Sequence, residues 1–122
     1  MATATPIKRD VKVIDGEGKS FGRLATQVAT ILIGKNKATY APNVDNGDFV
    51  HVKNLSKAVL TGKKAANKTY KWYTGYQGGL REEGMGDVFD KDPGEVLRRA
   101  VKNMLPKDSH TAARMKRLRA TA

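Results

Sequence analysis

The chain has 122 residues, no Cys, and 23 Lys or Arg against 12 Asp or Glu, a formal net charge of +11. That length is the ordinary size of one domain with one core, and without Cys there is no disulfide framework, thiolate zinc site or cysteine nucleophile. No apolar run exceeds Ile31-Leu32-Ile33, far short of the ~18 residues a membrane span needs, so composition predicts one cytoplasmic domain over residues 1–122 with no membrane partner.

The opening residues lack the apolar core of a secretory signal, and residues 1–9 read as a flexible arm. Val11-Lys-Val-Ile14 alternates as a first strand, and Asp15-Gly-Glu-Gly18 follows as a turn. Ser20 is placed to cap a helix running to about Ile33, with Leu24, Val28, Ile31 and Leu32 on one face and Ala25 and Ala29 beside them. Gly34 suits the stop position, where a left-handed residue is wanted. Residues 35–48 are a polar loop, Phe49-Val-His-Val52 a second strand, and Ala58-Val-Leu60 a third apolar burst. Residues 69–76, Thr-Tyr-Lys-Trp-Tyr-Thr-Gly-Tyr, are aromatic and β-branched and read as extended, until Gly78-Gly79 breaks them. Asp92 as N-cap, Pro93 at the first helical position and Glu95 reaching back to the cap predict a helix start, which Val96, Leu97, Ala100, Val101 and Met104 continue to Pro106. Ser109 opens a last helix with a thin seam of Ala112, Met115 and Leu118. Strands interleaved with helices favour an α/β layer architecture.

Charge is unevenly spread: residues 1–79 carry +8, residues 80–96 carry −4 and residues 97–122 carry +7. A field of this strength concentrates polyanions, and +11 exceeds the magnitude of about 2–8 that solubility asks of a small domain. The bland alternative is a solvated basic protein without a polyanion partner. Membrane binding fits less well, because the basic segments lack a Trp/Phe/Leu face to insert. The acidic stretch 82–95 reads as facing solvent or a basic neighbour.

Enzyme signatures are absent. Gly18-Lys19-Ser20 has Val13 where the phosphate-loop spacing needs Gly, which argues against a nucleotide-processing enzyme. Asp45-Asn-Gly-Asp48 has turn chemistry and lacks the later oxygen ligands of a calcium loop. His51 and His110 have no Cys partners and no visible catalytic partner, so neither a metal nor a cofactor is expected. By contrast, Lys63, Lys64, Lys68 and Lys71 are interleaved with Tyr70, Trp72, Tyr73 and Tyr76. Cations neutralise phosphates while exposed rings stack on unpaired bases; the alternative is that some rings are core and the lysines are merely solvated. Residues 107–122 form a further basic tail, with Lys107, Arg114, Lys116, Arg117 and Arg119 around the thin seam. It reads equally as a solvated face or as an RNA surface.

In order along the chain stand Val-Ile-Asp-Gly at 13–16, Gly-Arg-Leu-Ala at 22–25, Gly-Lys at 34–35 and Tyr-Ala-Pro at 40–42. They continue with Asn-Gly-Asp at 46–48, Leu-Thr-Gly-Lys-Lys at 60–64, Gly-Tyr-Gln-Gly-Gly-Leu at 75–80 and Ala-Val-Lys-Asn-Met-Leu-Pro-Lys at 100–107. This series resembles the ribosomal protein L-thirteen family in its bacterial form. The resemblance implies a three-layer α/β/α domain with a small, mostly parallel sheet and a basic helical C-terminal region. It implies a non-catalytic constituent of the large ribosomal subunit that binds large-subunit (23S-type) rRNA early in assembly, beside neighbouring ribosomal proteins. Messenger RNA is a secondary partner that the resemblance also implies, with translational repression as the activity; an RNA-binding regulator acting away from the ribosome is the rival reading. RNA contacts map by resemblance onto Arg23, Lys35, Lys37, Lys63, Lys64, Lys71, Lys107 and the basic tail. Asp108-Ser-His-Thr-Ala112 departs from the family pattern, and Arg114 to Arg119 are expected to supply substitute phosphate contacts.

Overall fold

In a computed structural model, residues 9–38, 40–60 and 62–121 are described. The predicted arm otherwise lies outside them, but its last residue, Arg9, is fastened to the domain. Its guanidinium donates to the carbonyls of Gly47 at 2.5 Å and Asp45 at 3.0 Å.

Strand β1 (Val11–Asp15) leads through a turn into helix α1 (Phe21–Ile33). Ser20 caps α1, its side chain accepting from the Arg23 amide at 3.5 Å, and Gly34 ends it at φ 89°, its amide donating to the Thr30 carbonyl. Leu24, Ala25, Val28 and Leu32 form the buried stripe the spacing predicts. After the 35–48 loop comes β2 (Phe49–Lys53), the centre of a three-stranded parallel sheet ordered β1-β2-β5, with β5 formed by Leu118–Ala120. Val50, Val52 and Leu118 point into the core, as a central parallel strand requires.

A short helix α2 (Lys64–Asn67) precedes an antiparallel hairpin of β3 (Thr69–Tyr73) and β4 (Leu80–Gly84). Helices α3 (Met85–Lys91), α4 (Pro93–Met104) and α5 (Thr111–Lys116) follow. α4 starts as predicted, with Pro93 in its first turn and Asp92 accepting from the Gly94 amide at 3.0 Å. Val96, Leu97 and Val101 pack it into one core with α1 and the sheet. Glu95 does not reach back to the cap; its carboxylate turns to Arg98 and Arg99 instead.

The expected α/β class with a small parallel sheet is present. The helices cover the sheet face of Val50, Val52 and Leu118. The opposite face, where a three-layer arrangement predicts cover, leaves Val11 and Val13 66% and 58% exposed among the described residues.

Four elements differ from the sequence reading. Ala58-Val-Leu60 forms only a single bridge, Val59 to Ser20. Gly78-Gly79 does not simply end an extended segment: it belongs to the turn of a hairpin, where the Thr74 amide donates to Gly79 at 3.1 Å and the Gly79 amide to Tyr76 at 2.9 Å. The acidic stretch, read from the sequence only as a charged surface, is also regular structure and supplies part of β4 and α3. Finally, the last helix starts at Thr111 rather than Ser109, and it closes into β5. The C-terminal segment is thus part of the sheet, held by the Val50 amide donating to the Arg117 carbonyl at 3.1 Å and the Thr121 amide to Val52 at 2.9 Å.

Candidate nucleic-acid interface

The hairpin sets out the first group of predicted residues. Its alternation puts Tyr70 and Trp72 on one face, opposite Glu83 and Arg81, and Lys71 and Tyr73 on the other, opposite Glu82 and Leu80. Tyr70 is half-buried, whereas Trp72, Tyr73 and Tyr76 are exposed, Tyr76 by 78%. Lys63 and Lys68 are also exposed. Lys64 opens α2, but its side chain is outside the described set. Lys71 pairs with Glu82 at 3.6 Å.

Helix α4 lies beside this hairpin and presents Arg99, Lys102 and Asn103. None of these three was among the candidate RNA contacts read from the sequence. Together with Tyr70, Lys71 and Trp72 they line a depression of about 340 Å³. Lys102 and Asn103 also line the next one, of about 290 Å³, with Lys107, Asp108 and Thr111. In the other direction, Tyr70, Arg99 and Asn103 wall a cleft of about 290 Å³ that reaches Phe21, Gly22 and Val59. Val59 in turn borders a depression of about 410 Å³ lined by Lys19 and Arg23. One groove with shared walls therefore runs from Arg23 to Lys107. Among the described residues, Lys102 and Lys107 form no ion pair along it, and Lys19 is drawn only by the charge of Asp15. The signal that finds Arg99, Lys102 and Asn103 is their spacing on one helix flank, but only the hairpin's position shows that this flank is lined with aromatic rings.

The Tyr70 ring is set between charges. The Arg99 guanidinium lies 4.3 Å and the Lys68 ammonium 5.9 Å from its centroid, distances at which a cation is drawn to a ring face. Burial pushes the Tyr70 hydroxyl above its ordinary pKa; Arg99 opposes the shift and Glu95 adds to it. Glu95 holds Arg99 at 3.1 Å.

Other predicted residues lie apart from the groove. Lys35 is exposed just past the C-terminal end of α1, whose stretch from Arg23 to Ile33 is about 15 Å long at 1.5 Å per residue. Lys37 is half-buried and pairs with Asp48 at 2.7 Å. Lys116 and Arg119 are exposed, Arg119 beside His51 in the sheet register.

Arg114 and Arg117 depart most from expectation. They are 1% and 8% exposed, so their guanidiniums do not face solvent where a phosphate would sit. Arg117 grips the Asp45 carboxylate with both Nη atoms at 2.6 Å and donates to the Leu32 carbonyl at 3.1 Å, closing the C-terminal end of α1. The Arg114 Nε lies 3.6 Å from Asp45, and its Nη1 lies 3.5 Å from Asp108. Those two atoms and the Arg117 Nε have no hydrogen-bond partner among the described residues, and Arg114 lies at ion-pair distance from Asp45 and Asp108. Burial alone would raise the Asp45 carboxyl pKa, but the Arg117 hydrogen bond and the charges of Arg117, Arg9 and Arg114 bring it below the usual range. Asp48 is lowered in the same way, by Lys37 and the Asp10 amide against its own burial. The two carboxylates of the Asp45–Asp48 segment thus take the protein's own cations, and no metal-binding group of acids and histidines exists among the described residues.

An α/β domain with a basic, aromatic-lined groove is the architecture of a binding protein. Residues 9–121 match the family described as Ribosomal protein L13. The large ribosomal subunit protein uL13 of Clostridioides difficile (strain 630) is 48% identical over 122 residues, covering all of this chain and 85% of that one. Those of Thermoanaerobacter sp. (strain X514) and Rubrobacter xylanophilus are 51% and 48% identical over 119 residues, 98% of this chain and 83% of each of theirs. The chain belongs to the ribosomal protein L13 family and is a structural protein, not an enzyme.

Proposed function

We propose that this chain is a structural constituent of the large ribosomal subunit in the cytoplasm, where it binds 23S-type rRNA and lies against neighbouring subunit proteins. The observation that carries the reading is the family match across residues 9–121, joined by relatives near half identity that bear the large-subunit name. The groove supplies a mechanism in keeping with it. Lys71, Lys102 and Lys107 offset phosphate repulsion where RNA strands converge, Arg23 extends the track along α1, and Trp72 offers a face to an unpaired base. Tyr73 on the hairpin's other face and Tyr76 at its tip offer exposed rings outside the groove. Lys35, Lys63, Lys68, Lys116 and Arg119 add to the surrounding field. Arg114 and Arg117 work inside the fold.

Sucrose-gradient sedimentation of a cell lysate, with the chain followed by mass spectrometry, tests the reading. A built-in constituent stays with large subunits and whole ribosomes at high salt. Recovery at the top of the gradient under both low and high salt would remove the ribosomal role.

A further inference from the structure

The cleft between the start of α1 and the outer flank of α4 has an unusual mixture of walls. Its floor is apolar, built from Phe21, Leu60 and Val96, its mouth carries Val59 and Met104, and its rim carries Lys68, Arg99 and Asn103. Its volume of about 290 Å³ is near the lower end of small-molecule sites, about 300–1,000 Å³, a size suited to one flat ring system rather than an extended cofactor. Met104 and Val59 are each 45% exposed, so apolar surface is open at the mouth. Tyr70, Arg99 and Asn103 form the wall shared with the neighbouring depression, where Lys71, Trp72 and Lys102 stand.

We propose that this cleft receives the base of one unpaired nucleotide of large-subunit RNA, with the adjoining nucleotide stacked on Trp72. The inference rests on the RNA-binding reading above and adds a specific seat to it. The base lies against the Met104 thioether and Val59. Its backbone crosses the shared wall, where Arg99 and Lys102 meet the phosphate. Asn103, which has no hydrogen-bond partner among the described residues, offers both a donor and an acceptor to the base edge. Charge favours a nucleotide over a protein side chain here: Lys68, Lys71, Arg99 and Lys102 outnumber the carboxylates that pair with them, Glu82 and Glu95. An apolar side chain would fill the floor but leave that cationic rim unused.

Trp72 is the only tryptophan, so its fluorescence reports binding in the full chain. The probes are a nine-residue oligoadenylate and an abasic ribose-phosphate chain of the same length. The expected result is a preference of about tenfold or more for the oligoadenylate, in line with about 1–3 kcal/mol per stacked base. Met104→Glu, at the mouth, and Ala100→Met, which fills the cleft without adding charge, should each cut that preference at least threefold. The readout is the ratio of two affinities, so a general change in phosphate attraction cancels, and either variant suffices if the other fails to fold. Equal binding of the two probes, or a preference that survives both substitutions, overturns the seat while leaving RNA binding in place. Binding of neither probe overturns the seat as well, and the sedimentation result then judges the RNA reading separately. A photo-crosslinking residue at position 104 in assembled subunits should attach to RNA; attachment to a protein would overturn the assignment.

Discussion

Asp45 bears more of this structure than its position in a loop suggests. One carboxylate takes both Nη atoms of Arg117, the charge of Arg114, and that of Arg9 at 4.0 Å. Removing one partner of a buried pair leaves an uncompensated charge, a loss of about 3–5 kcal/mol. Asp45→Asn should therefore lower the melting temperature at pH 7 by about 10 °C or more, and an unchanged melting temperature would refute the staple. Acid should act through the same group. The folded protein holds the Asp45 and Asp48 carboxyls below their ordinary pKa, so at low pH the unfolded chain binds more protons. The resulting stability is present in full above the unfolded value of about 3.9 and is lost as pH falls through the folded values. Thermal melts across that acid range should show wild type losing stability steeply, and Asp45→Asn, already weakened, losing less. None of this was legible in the sequence. Arg117 lies 72 residues from Asp45, and a cation beside a thin apolar seam looks the same whether it faces water or a distant carboxylate.

Elements governed by local chemistry were the legible ones. Ser20, Gly34, Asp92 and Pro93 sit at helix ends where side-chain caps, a left-handed residue and a missing amide each have a position-specific use, and both long helices begin and end as read. The caps differ in strength. Asp92 accepts at 3.0 Å and also holds Arg98 at 3.3 Å, whereas Ser20 accepts at 3.5 Å. In denaturant unfolding, Asp92→Ala should cost about 1 kcal/mol and Ser20→Ala clearly less; the reverse order would contradict the geometry. Elements that depend on a partner were not legible. Leu80-Arg-Glu-Glu-Gly84 has low strand propensity and becomes β4 because β3 supplies its ladder, with Lys71 facing Glu82 across it. Leu118–Ala120 is three residues long and is a strand only because β2 lies beside it. Asp45-Asn-Gly-Asp48 was read as a turn, but the loop turns earlier, at Pro42 and Asn43, where the Val44 amide donates to the Ala41 carbonyl. Residues 45–48 run as irregular chain pressed against α1, and a Cβ on Gly47 would stand 1.7 Å from the Leu32 carbonyl oxygen.

At the scale of the whole molecule, the positive charge divides into two uses. Arg9, Arg114 and Arg117 are drawn to Asp45 and tie the chain's two ends to the 45–48 segment, while the groove from Arg23 to Lys107 keeps its cations toward solvent. Net charge reveals the excess but not this division, which is why the basic character of the surface was legible and the inward turn of Arg114 and Arg117 was not. The division makes a quantitative prediction. If about six phosphates are neutralised, the logarithm of rRNA affinity should fall against the logarithm of salt concentration with a slope of roughly −4 to −5. Replacing Lys71, Lys102 and Lys107 by Gln should make that slope shallower by about 2, because each lost contact with single-stranded RNA removes about 0.7. Replacing Arg114 by Gln should instead lower the melting temperature and leave the slope of the folded fraction as it was. Filter binding of the purified chain to large-subunit rRNA over a salt series, with unfolding measured on the same samples, separates the two. A slope that shifts with Arg114 and ignores the three lysines would mean that RNA draws the interior arginines out, and that the C-terminal segment, not the groove, carries the charge contact.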